Sequence, residues 1–487
     1  MLAFATARAA AHTAPRAIFA KQVLPHLGLQ GSSQIASAQF STALTSRLAS
    51  HAGSCPRACN LWLRKFCAAA PGVTMNGSGG AAVVMEATQV AGKVASEATK
   101  AAGKVASDAA GQAASRVGAL VRPGYEVPVG VWLLGTSGML YTMIAIGGYT
   151  RLSGSGLSMT DWRIQGRSLP WTQEQWVREF EEYKTFPEYQ RLHAGMMDLQ
   201  DFKHIYFVEW FHRMWGRTVG MLFAVPLAYF IARRILKARL ALLLTGFLGL
   251  GLSQAFVGWW MVQSGLENPE KHTPTLGKNQ RPRVSPYRLA NHWTAALTLY
   301  FGCLWTSLSL LRPSPSVLHP TVEAIAAAKK LRCAALPVAA LVGLTLLSGP
   351  FVAGNDAGHA YNTWPKMNYD WVPPEWLAAV SEPLKRWRLF FEDTAVVQFD
   401  HRCLAYASVF GTLGLAAYSS LLPVSPAVGA AVRLLPWAVG AQMCLGVATL
   451  LLYVPIELGV AHQAGGVAVL TSLAFLLHTL RIPVMAL

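Results

Sequence analysis

A short polar stretch opens an apolar segment of this chain. The nine residues EWFHRMWGR, from Glu209 to Arg217, are followed directly by the apolar sequence TVGMLFAVPLAYFIA. Such a run is typical of a membrane-spanning helix. Ionisable groups in a membrane segment are costly and usually mark a functional site. We therefore expect the Glu, His and Arg side chains of this stretch to do chemistry.

Four histidines occupy matched places in apolar segments. His212 in EWFHRMWG corresponds to His401 in VQFDHRCLA, and His292 in LANHWTAAL corresponds to His462 in GVAHQAGGV. A single membrane histidine is usually a hydrogen-bonded packing residue, but four in matched pairs favour a shared role. Two imidazoles that face each other across a four-helix bundle commonly hold haem iron. Zinc would need carboxylate or thiolate ligands nearby, and copper would usually recruit Met or Cys, so we favour haem.

The two matched segments differ three residues before the histidine. Glu209 precedes His212, whereas Gln398 precedes His401. Residues three apart share one face of a helix, so only the first segment places a carboxyl group beside its histidine. A carboxyl group can take up and release protons during catalysis, and a Gln amide cannot. The first segment is therefore predicted to do chemistry, and the second to hold a permanent redox cofactor.

Four arginines lie near the same ends of the predicted helices. Arg213 and Arg402 directly follow the matched histidines, Arg217 lies one helical turn further on, and Arg151 follows the first apolar segment. Their guanidinium groups suit the propionates of a haem, and the alternative is that they bind lipid headgroups. Glu209 has an alternative role as well, as the ion-pair partner of Arg213 or Arg217.

The composition indicates which elements must position these residues. Of 487 residues, 53% are hydrophobic and only 13% are charged, whereas soluble domains carry about 25% charged residues. The chain is therefore predicted to be a polytopic membrane protein. A membrane span needs roughly 20 apolar residues. The eight segments that qualify are 128–150, 205–231, 240–262, 287–311, 334–354, 394–421, 434–455 and 458–480.

The eight predicted spans form two repeats of four. Besides the histidines, the third and seventh spans share a Gln and a Gly four apart, in SQAFVG and AQMCLG. Because each repeat has an even number of spans, the repeats are parallel rather than inverted. The predicted fold is an all-α integral membrane protein with eight transmembrane helices in two pseudo-equivalent four-helix bundles. Its divisions are an N-terminal half (128–311), a linker (312–333) and a C-terminal half (334–487).

The charged residues are unevenly spread. The first acidic residue is Glu86, and the basic, Ser-bearing segment 1–85 is typical of an organellar transit peptide, with a disordered basic arm as the alternative. This pattern does not separate mitochondrion from plastid. Segment 86–127, in which AGKVAS occurs twice, is predicted to be an Ala/Lys-rich helical linker. The net charge is +17. The hydrophobic composition predicts contact with a lipid bilayer, and no nucleic-acid partner is expected.

The loops predict an orientation. The short connections at one end of the spans carry nine Lys and Arg residues and a single acidic residue, Glu323, whereas the long loops at the other end are mixed in charge. The positive-inside rule therefore places the short connections and both mature termini in the matrix or cytoplasm. The long loops 151–204, 263–286 and 355–393 lie at the opposite end. Within the first loop, EQWVREFEEYKTFPEYQ is predicted to form an amphipathic interfacial helix.

Taken together, these motifs resemble the heme A synthases of the mitochondrial type. The similarity covers roughly 128 to 480. Bacterial members often carry a cysteine pair in the first outer loop, and 151–204 contains no cysteine, so that redox feature is not carried over. The matching stretches are GGYTRLSGSGLSMTDW, WVREFEEYKTFPEYQ, EWFHRMWGR, the NHW of the fourth span, GPFVAGNDAGHAYNTWPKM, FDHR and AHQAGG.

The resemblance implies a reaction and its site. Heme O would be the substrate, and its C8 methyl group would be oxidised to a formyl group by successive hydroxylations, giving heme A for cytochrome c oxidase. The family's N-terminal half holds the substrate haem, which implies His212 and His292 as its ligands and Glu209 as the catalytic carboxyl. The family's C-terminal half holds haem b, which implies His401 and His462.

The resemblance also implies a location and partners. The protein would lie in the mitochondrial inner membrane and receive electrons from a ferredoxin and its reductase. Further candidate partners are heme O synthase, cytochrome c oxidase assembly factors and a second copy of this chain.

Two other classes of protein have a similar pattern of residues. A two-haem electron carrier would also use four histidines, but it needs haems at different depths, and all four histidines here are predicted at one depth near the outer end. A haem assembly module without catalysis would leave the difference between Glu209 and Gln398 unexplained. An inverted-repeat transporter is disfavoured by the parallel repeats.

Overall fold

The computed structural model describes residues 120–266, 283–312, 321–381 and 383–482. The predicted transit peptide (1–85), most of the predicted linker (86–127) and much of the loop 263–286 lie outside the described residues. The described residues form helices and isolated β-bridges, with no strand among them. The predicted all-α fold is thereby confirmed.

Eight long helices correspond to the eight predicted spans. Seven of them are long and apolar enough to cross a membrane. The exception is α8, whose 26 residues include the polar run around His401. In chain order the helices are α1 (Glu126–Leu152), α2 (Gln173–Tyr183), α3 (Leu199–Ala232), α4 (Ala238–Leu266), α5 (Pro286–Leu311), α6 (Val322–Gly354), α7 (Pro374–Ser381), α8 (Thr394–Ser419), α9 (Pro426–Leu451) and α10 (Ile456–Thr479).

Some helix ends differ from the predicted ends. α6 begins at Val322, twelve residues before the predicted span, because Thr321 caps it and its first turns bury alanines while Lys329 and Lys330 stay exposed. α9 lies earlier than predicted, since Pro426 follows the capping position and favours a helix start. α9 ends at Leu451. Tyr453, in the next turn, has φ 60°, a left-handed backbone conformation that a right-handed helix cannot include.

The helices pack as two rings. α1, α3, α4 and α5 contact each other in that order around a closed ring, and α6, α8, α9 and α10 do the same. The rings meet through α1 with α10, α5 with α6, and α5 with α10. Exchanging α1 with α6 and α5 with α10 leaves this set of contacts unchanged. The two rings are therefore related by a pseudo-two-fold axis, as parallel repeats require.

Hydroxyl groups join the rings inside the bundle. The Tyr300 hydroxyl on α5 lies 2.9 Å from the Thr471 hydroxyl on α10. The Tyr141 hydroxyl on α1 donates to the Ala464 carbonyl on α10 at 3.0 Å. Side-chain hydrogen bonds of this kind stabilise specific contacts between membrane helices. Burial of apolar side chains alone does not favour one helix arrangement over another, because the lipid tails are equally apolar.

The predicted amphipathic helix in the first outer loop is present as α2. Thr172 and Gln175 form a capping box at its start, a device that satisfies two backbone N–H groups. Its apolar face packs on the first turns of α3, where Phe180 stacks on Phe202 at 5.1 Å. α3 begins at Leu199, six residues before the predicted span, because these first turns serve as the platform for α2.

Candidate functional site

The C-terminal ring brings His401 and His462 together. Their ring centroids are 6.3 Å apart and the ring planes cross at 77°. Nδ1 of His401 lies 2.6 Å from the Ser348 hydroxyl, and Nδ1 of His462 lies 3.0 Å from Nε2 of Gln442. Neither of these contacts involves Nε2 of the histidine ring.

The spacing of this pair fits a metal held between the rings. An imidazole nitrogen binds a metal at about 2 Å and the ring centroid lies roughly 1 Å behind it, so two rings on one metal have centroids roughly 6 Å apart. Gly446 on α9 leaves room for the His462 ring, because a Cβ atom on residue 446 would lie only 2.8 Å from the ring. All four matched histidines are enclosed by protein yet partly accessible. They therefore line internal space.

The N-terminal ring places a glycine beside each of His212 and His292. A Cβ on Gly147 of α1 would lie 3.2 Å from Nε2 of His212. A Cβ on Gly258 of α4 would lie 3.7 Å from the His292 ring and 3.3 Å from Trp162. Nδ1 of His292 and Nε1 of Trp162 are buried and have no hydrogen-bond partner among the described residues. The N-terminal pair is thus held less firmly than its counterpart.

One matched position accounts for part of that difference. Gly147 of α1 stands where α6 has Ser348, since both lie beside the first histidine of their ring. Ser348 hydrogen-bonds His401, whereas Gly147 has no side chain with which to hold His212. The same helix order thus builds one fixed histidine pair and one freer pair.

Glu209 is buried beneath the first outer loop. Its side chain is 3% exposed, and that of Arg213, with which it pairs at 2.6 Å, is 8% exposed. Its second oxygen accepts hydrogen bonds from the Ser158 hydroxyl at 2.6 Å and from the Met159 backbone N–H at 2.9 Å. Arg213 also donates to the Met159 and Asp161 carbonyls. The loop, the carboxylate and the guanidinium group therefore form one buried network.

The C-terminal ring repeats this network with a neutral side chain. Arg402 donates to Oε1 of Gln398 at 3.1 Å and to the Tyr361 and Thr363 carbonyls of its own loop. Gln398 in turn donates to the Ala357 carbonyl at 2.9 Å. The two halves thus share one hydrogen-bond arrangement: an arginine binds loop carbonyls and also the side chain four residues before the arginine. The halves differ in the charge of that side chain.

The other two candidate arginines lie at the edges of this frame. Arg217 donates to the Arg163 and Ile164 carbonyls of the first outer loop and does not pair with Glu209. Arg151 binds Asp356 at 3.0 Å and so links α1 to the loop after α6. All four predicted arginines thus lie at the outer loops, bound to loop carbonyls or carboxylates, and their pairing with haem propionates remains a prediction.

Two clefts open from the first outer loop toward the Glu209 network. One, of about 250 Å³, is lined by Arg213 and Arg217. The other, of about 210 Å³, is lined by Ser158, Tyr183 and Glu179, and both volumes include open solvent. Ser158, whose hydroxyl binds Glu209, is therefore also one of the residues that line a small cleft.

A second carboxyl group lies buried close to Glu209. Glu188 is 5% exposed and accepts a hydrogen bond from the Tyr183 hydroxyl at 3.0 Å. Burial, more than any other cause, raises the pKa of Glu188 to about 8; the Tyr183 hydrogen bond opposes this rise, and the charge of Glu209 adds to it. The outer loop thus holds a group that exchanges protons near neutral pH.

Gln463 shows that the two histidine pairs lie at one level. It follows His462 on α10, and its Nε2 donates to the Ile144 carbonyl of α1 at 2.8 Å. Its Oε1 occupies the space beside Gly148, 2.3 Å from an ideal Cβ position. Gly148 is the neighbour of Gly147, on which His212 rests, so a single side chain connects the surroundings of both pairs.

Sequence reasoning missed Ser158, Ser348, Trp162 and Gln463. Ser348 could have been found by extending the repeat alignment to the ends of α1 and α6, where it stands opposite Gly147. Ser158 and Trp162 belong to a loop that folds back over α3. The spacing of residues in the sequence does not predict that the loop takes this path. Among the described residues, no three His, Cys, Asp or Glu side chains gather as a zinc site would need.

Comparison with known proteins identifies the family. Residues 130–474 match the cytochrome oxidase assembly protein family, COX15-CtaA. The chain is 46% identical over 355 residues to "Heme A synthase COX15" of Arabidopsis thaliana, covering 73% of this chain and 75% of that protein. It is 43% identical over 358 residues to the Homo sapiens protein of the same name, covering 73% and 83%.

A third relative combines two activities in its name. The "Heme A synthase-mitochondrial ferredoxin fusion protein" of Schizosaccharomyces pombe is 36% identical over 390 residues, which cover 74% of this chain and 62% of that protein. The family match spans all eight long helices and includes both histidine pairs. The chain belongs to the cytochrome oxidase assembly protein (COX15-CtaA) family.

Proposed function

We propose that this protein is a heme A synthase, which oxidises the C8 methyl group of heme O to the formyl group of heme A. The names of its relatives support this reaction. The observation that carries the proposal is the contrast between Glu209 and Gln398. The two halves build the same buried network, and only the N-terminal half gives it a carboxylate.

The geometry supports a division of labour between the halves. His401 and His462 are each held at Nδ1 by a neighbouring side chain, as expected for ligands of a resident cofactor, whose second-shell partners fix the ring. We assign them to haem b, which supplies reversible one-electron redox chemistry when bound. His212 and His292 are assigned to heme O, and their looser surroundings suit a substrate that must enter and leave.

The ion pair of Glu209 with Arg213 fits either a structural or a catalytic role. Arg402 keeps its loop in place with a neutral partner, Gln398. A negative charge is therefore not required for that structural task. This argues that the carboxylate of Glu209 is present for chemistry at the substrate.

A route for protons leads to Glu209. Methyl hydroxylation by dioxygen takes up one proton for each electron that a donor supplies, so protons must reach the buried carboxyl group. Ser158 donates to Glu209 at 2.6 Å and also lines the cleft of about 210 Å³. Its hydroxyl can accept a proton as it gives one up. Glu209, Ser158 and the cleft thus form a path to the outer loop, with Glu188 close by.

Electrons would come from outside the chain. The ferredoxin named in the Schizosaccharomyces pombe fusion supports a ferredoxin, with its reductase, as the source. We propose the mitochondrial inner membrane as the location, with both mature termini in the matrix, because the short connections at one end of the spans are basic and almost free of acidic residues.

Replacing Glu209 with Gln tests the proposed function. The Arg402–Gln398 pair is a working precedent for an arginine with a neutral partner, so Glu209→Gln should fold and bind haem. Heme A formation should fall by about a hundredfold or more, the usual scale for lost acid–base catalysis. The measurement is the ratio of heme A to heme O in cells that carry only the variant.

Two controls frame this test. Bound haem b, measured by its spectrum, reports whether the variant is folded. Glu209→Asp keeps a carboxyl group but withdraws it by one methylene, so it should retain more activity than Glu209→Gln. Normal heme A levels in Glu209→Gln would refute the catalytic role. Purified wild-type protein with haem b alone, and no heme O or heme A, would instead favour the electron carrier.

A further inference from the structure

Three arginines gather where the two rings meet, at the end of the spans opposite the histidines. Arg312 directly follows α5, Arg481 lies two residues after the end of α10, and Arg332 lies in the third turn of α6. α5, α6 and α10 contact one another. Leu331 and Leu480, the neighbours of Arg332 and Arg481, share one buried cluster. The three guanidinium groups therefore belong to one corner of the molecule, which we call the basic junction.

The contacts of the basic junction position these arginines without neutralising them. Nη1 of Arg312 donates to the Thr479 hydroxyl at 2.8 Å, and its guanidinium group lies 4.0 Å from the centroid of the Phe475 ring. Nε of Arg481 donates to the His478 carbonyl at 2.8 Å. Burial, followed by the charges of Arg312 and Arg332, lowers the pKa of Arg481 to about 10. Such mutual repulsion is a cost that a bound anion would remove.

No carboxylate in the described residues compensates this charge. None of the three arginines forms an ion pair with a described residue. The adjoining sequence segments 313–320 and 482–487 contain no Asp or Glu. Glu323, the acidic residue of the predicted linker, is exposed in the first turn of α6. The charge of the basic junction thus has no ionic partner among the described residues.

An unsatisfied histidine lies at the base of the same corner. His478 is fully buried, and its Nε2 lies 3.2 Å from the Ser309 hydroxyl. Its Nδ1 is buried without a hydrogen-bond partner among the described residues. Arg312 and Arg481 both act electrostatically on this ring. A buried polar atom without a partner usually indicates a missing ligand, water or ion.

We propose that the basic junction is a binding site for the phosphate of an anionic phospholipid headgroup. Guanidinium groups bind phosphate oxygens through paired, charge-assisted hydrogen bonds. The site lies at the ends of membrane-spanning helices, where headgroups are found, and basic pockets between such helices bind anionic lipids. A lipid held there would touch α5 of one ring and α6 and α10 of the other, and so would stabilise their junction.

The test uses the full-length protein, purified and reconstituted in phosphatidylcholine discs with or without a diphosphatidylglycerol lipid. In wild-type protein, the anionic lipid should raise the midpoint of thermal unfolding and should remain bound through a wash with zwitterionic detergent. Arg312→Gln combined with Arg481→Gln should reduce the retained lipid about tenfold or more, because two charge-assisted contacts are lost. Retained lipid phosphorus is the readout.

A matched control removes the same charge elsewhere at the same end. Arg233 and Arg239 are exposed between α3 and α4, far along the chain from the basic junction, and Arg233→Gln with Arg239→Gln should leave the retained lipid unchanged. Inorganic phosphate that protects wild-type protein as well as the lipid does would support the phosphate site and identify free phosphate as its ligand. Equal retention by both double variants would overturn the proposal, as would a wild-type unfolding midpoint that neither probe changes.

Discussion

Gly446 and Gly258 occupy matched positions beside the second histidine of each pair, but they leave different amounts of room. A Cβ on Gly446 would lie 2.8 Å from the His462 ring, closer than real Cβ atoms come. A Cβ on Gly258 would lie 3.7 Å from the His292 ring, an ordinary contact. The His462 side chain is therefore confined by backbone, whereas His292 has space to adjust.

This difference predicts unequal effects of one added methyl group. Gly446→Ala should displace the His462 ring and reduce haem b retention severalfold, because a metal ligand displaced by a few tenths of an ångström loses its geometry. Gly258→Ala should retain haem b and affect the N-terminal pair only mildly. The measurement is the haem b content per protein of the two purified variants. Equal haem b content in both would show that the glycine does not set the position of His462.

At the residue scale, the sequence predicted those features that depend on residue type and spacing. The repeat alignment paired the four histidines and exposed the difference between Glu209 and Gln398, and the structure brings His401 and His462 to 6.3 Å. The alignment could not predict that Ser158 binds Glu209, because that contact depends on how the loop after α1 folds over α3. A loop's return path is a tertiary property and leaves no periodic signal.

At the scale of elements, hydropathy located the helices better than it located their ends. Spans are recognised by an apolar run long enough to cross a bilayer, but ends depend on caps and on amphipathic turns. α6 begins twelve residues early because Thr321 caps it, and its first turns bury Ala324 and Ala327 while exposing lysines. α8 was predicted as a span from its apolar length, but its polar run leaves it outside the seven described helices that are apolar enough to cross a membrane.

The contact between α10 and α1 is tight enough to test by a pair of substitutions. Oε1 of Gln463 lies 2.3 Å from where a Cβ on Gly148 would be, so Gly148→Ala should clash with it. Gln463→Ala should lose the hydrogen bond to the Ile144 carbonyl, at a cost of about 1 kcal/mol. The double variant should be more stable than the sum of the single effects predicts, since Gln463→Ala vacates the space that the methyl group added by Gly148→Ala needs.

The readout for this pair is the thermal unfolding midpoint of the solubilised protein. Because Gln463 adjoins His462 and Gly148 adjoins Gly147, the haem content of each variant should be measured alongside. Strictly additive effects would show that the two residues do not share this space.

At the scale of the whole molecule, the parallel repeat explains why the two rings are alike and why each contains one histidine pair. In each ring the first helix packs against the fourth, α1 against α5 and α6 against α10. The same four helices form the contacts between the rings. The sequence predicted two bundles of four, but which helices form the junction follows from packing between halves. Both histidine pairs lie beside this junction and at one level. The firmly held pair of the C-terminal ring and the freer pair of the N-terminal ring are linked there by Gln463.

The last prediction concerns how this molecule lies in its membrane. The histidine pairs, the Glu209 network and the long loops lie at one end of the spans, and the basic connections lie at the other, so the positive-inside rule places the histidine end in the intermembrane space. A tag added after Leu487 should be reached by antibody only when the inner membrane is opened. A protease site inserted near Ser168, which is exposed in the first outer loop, should be cut in mitochondria whose outer membrane alone is ruptured. Intact haem b in both altered proteins would show that neither insertion disturbs the fold. The reverse pattern of access would contradict the charge-based orientation, and it would require the protons taken up through Ser158 to come from the matrix instead.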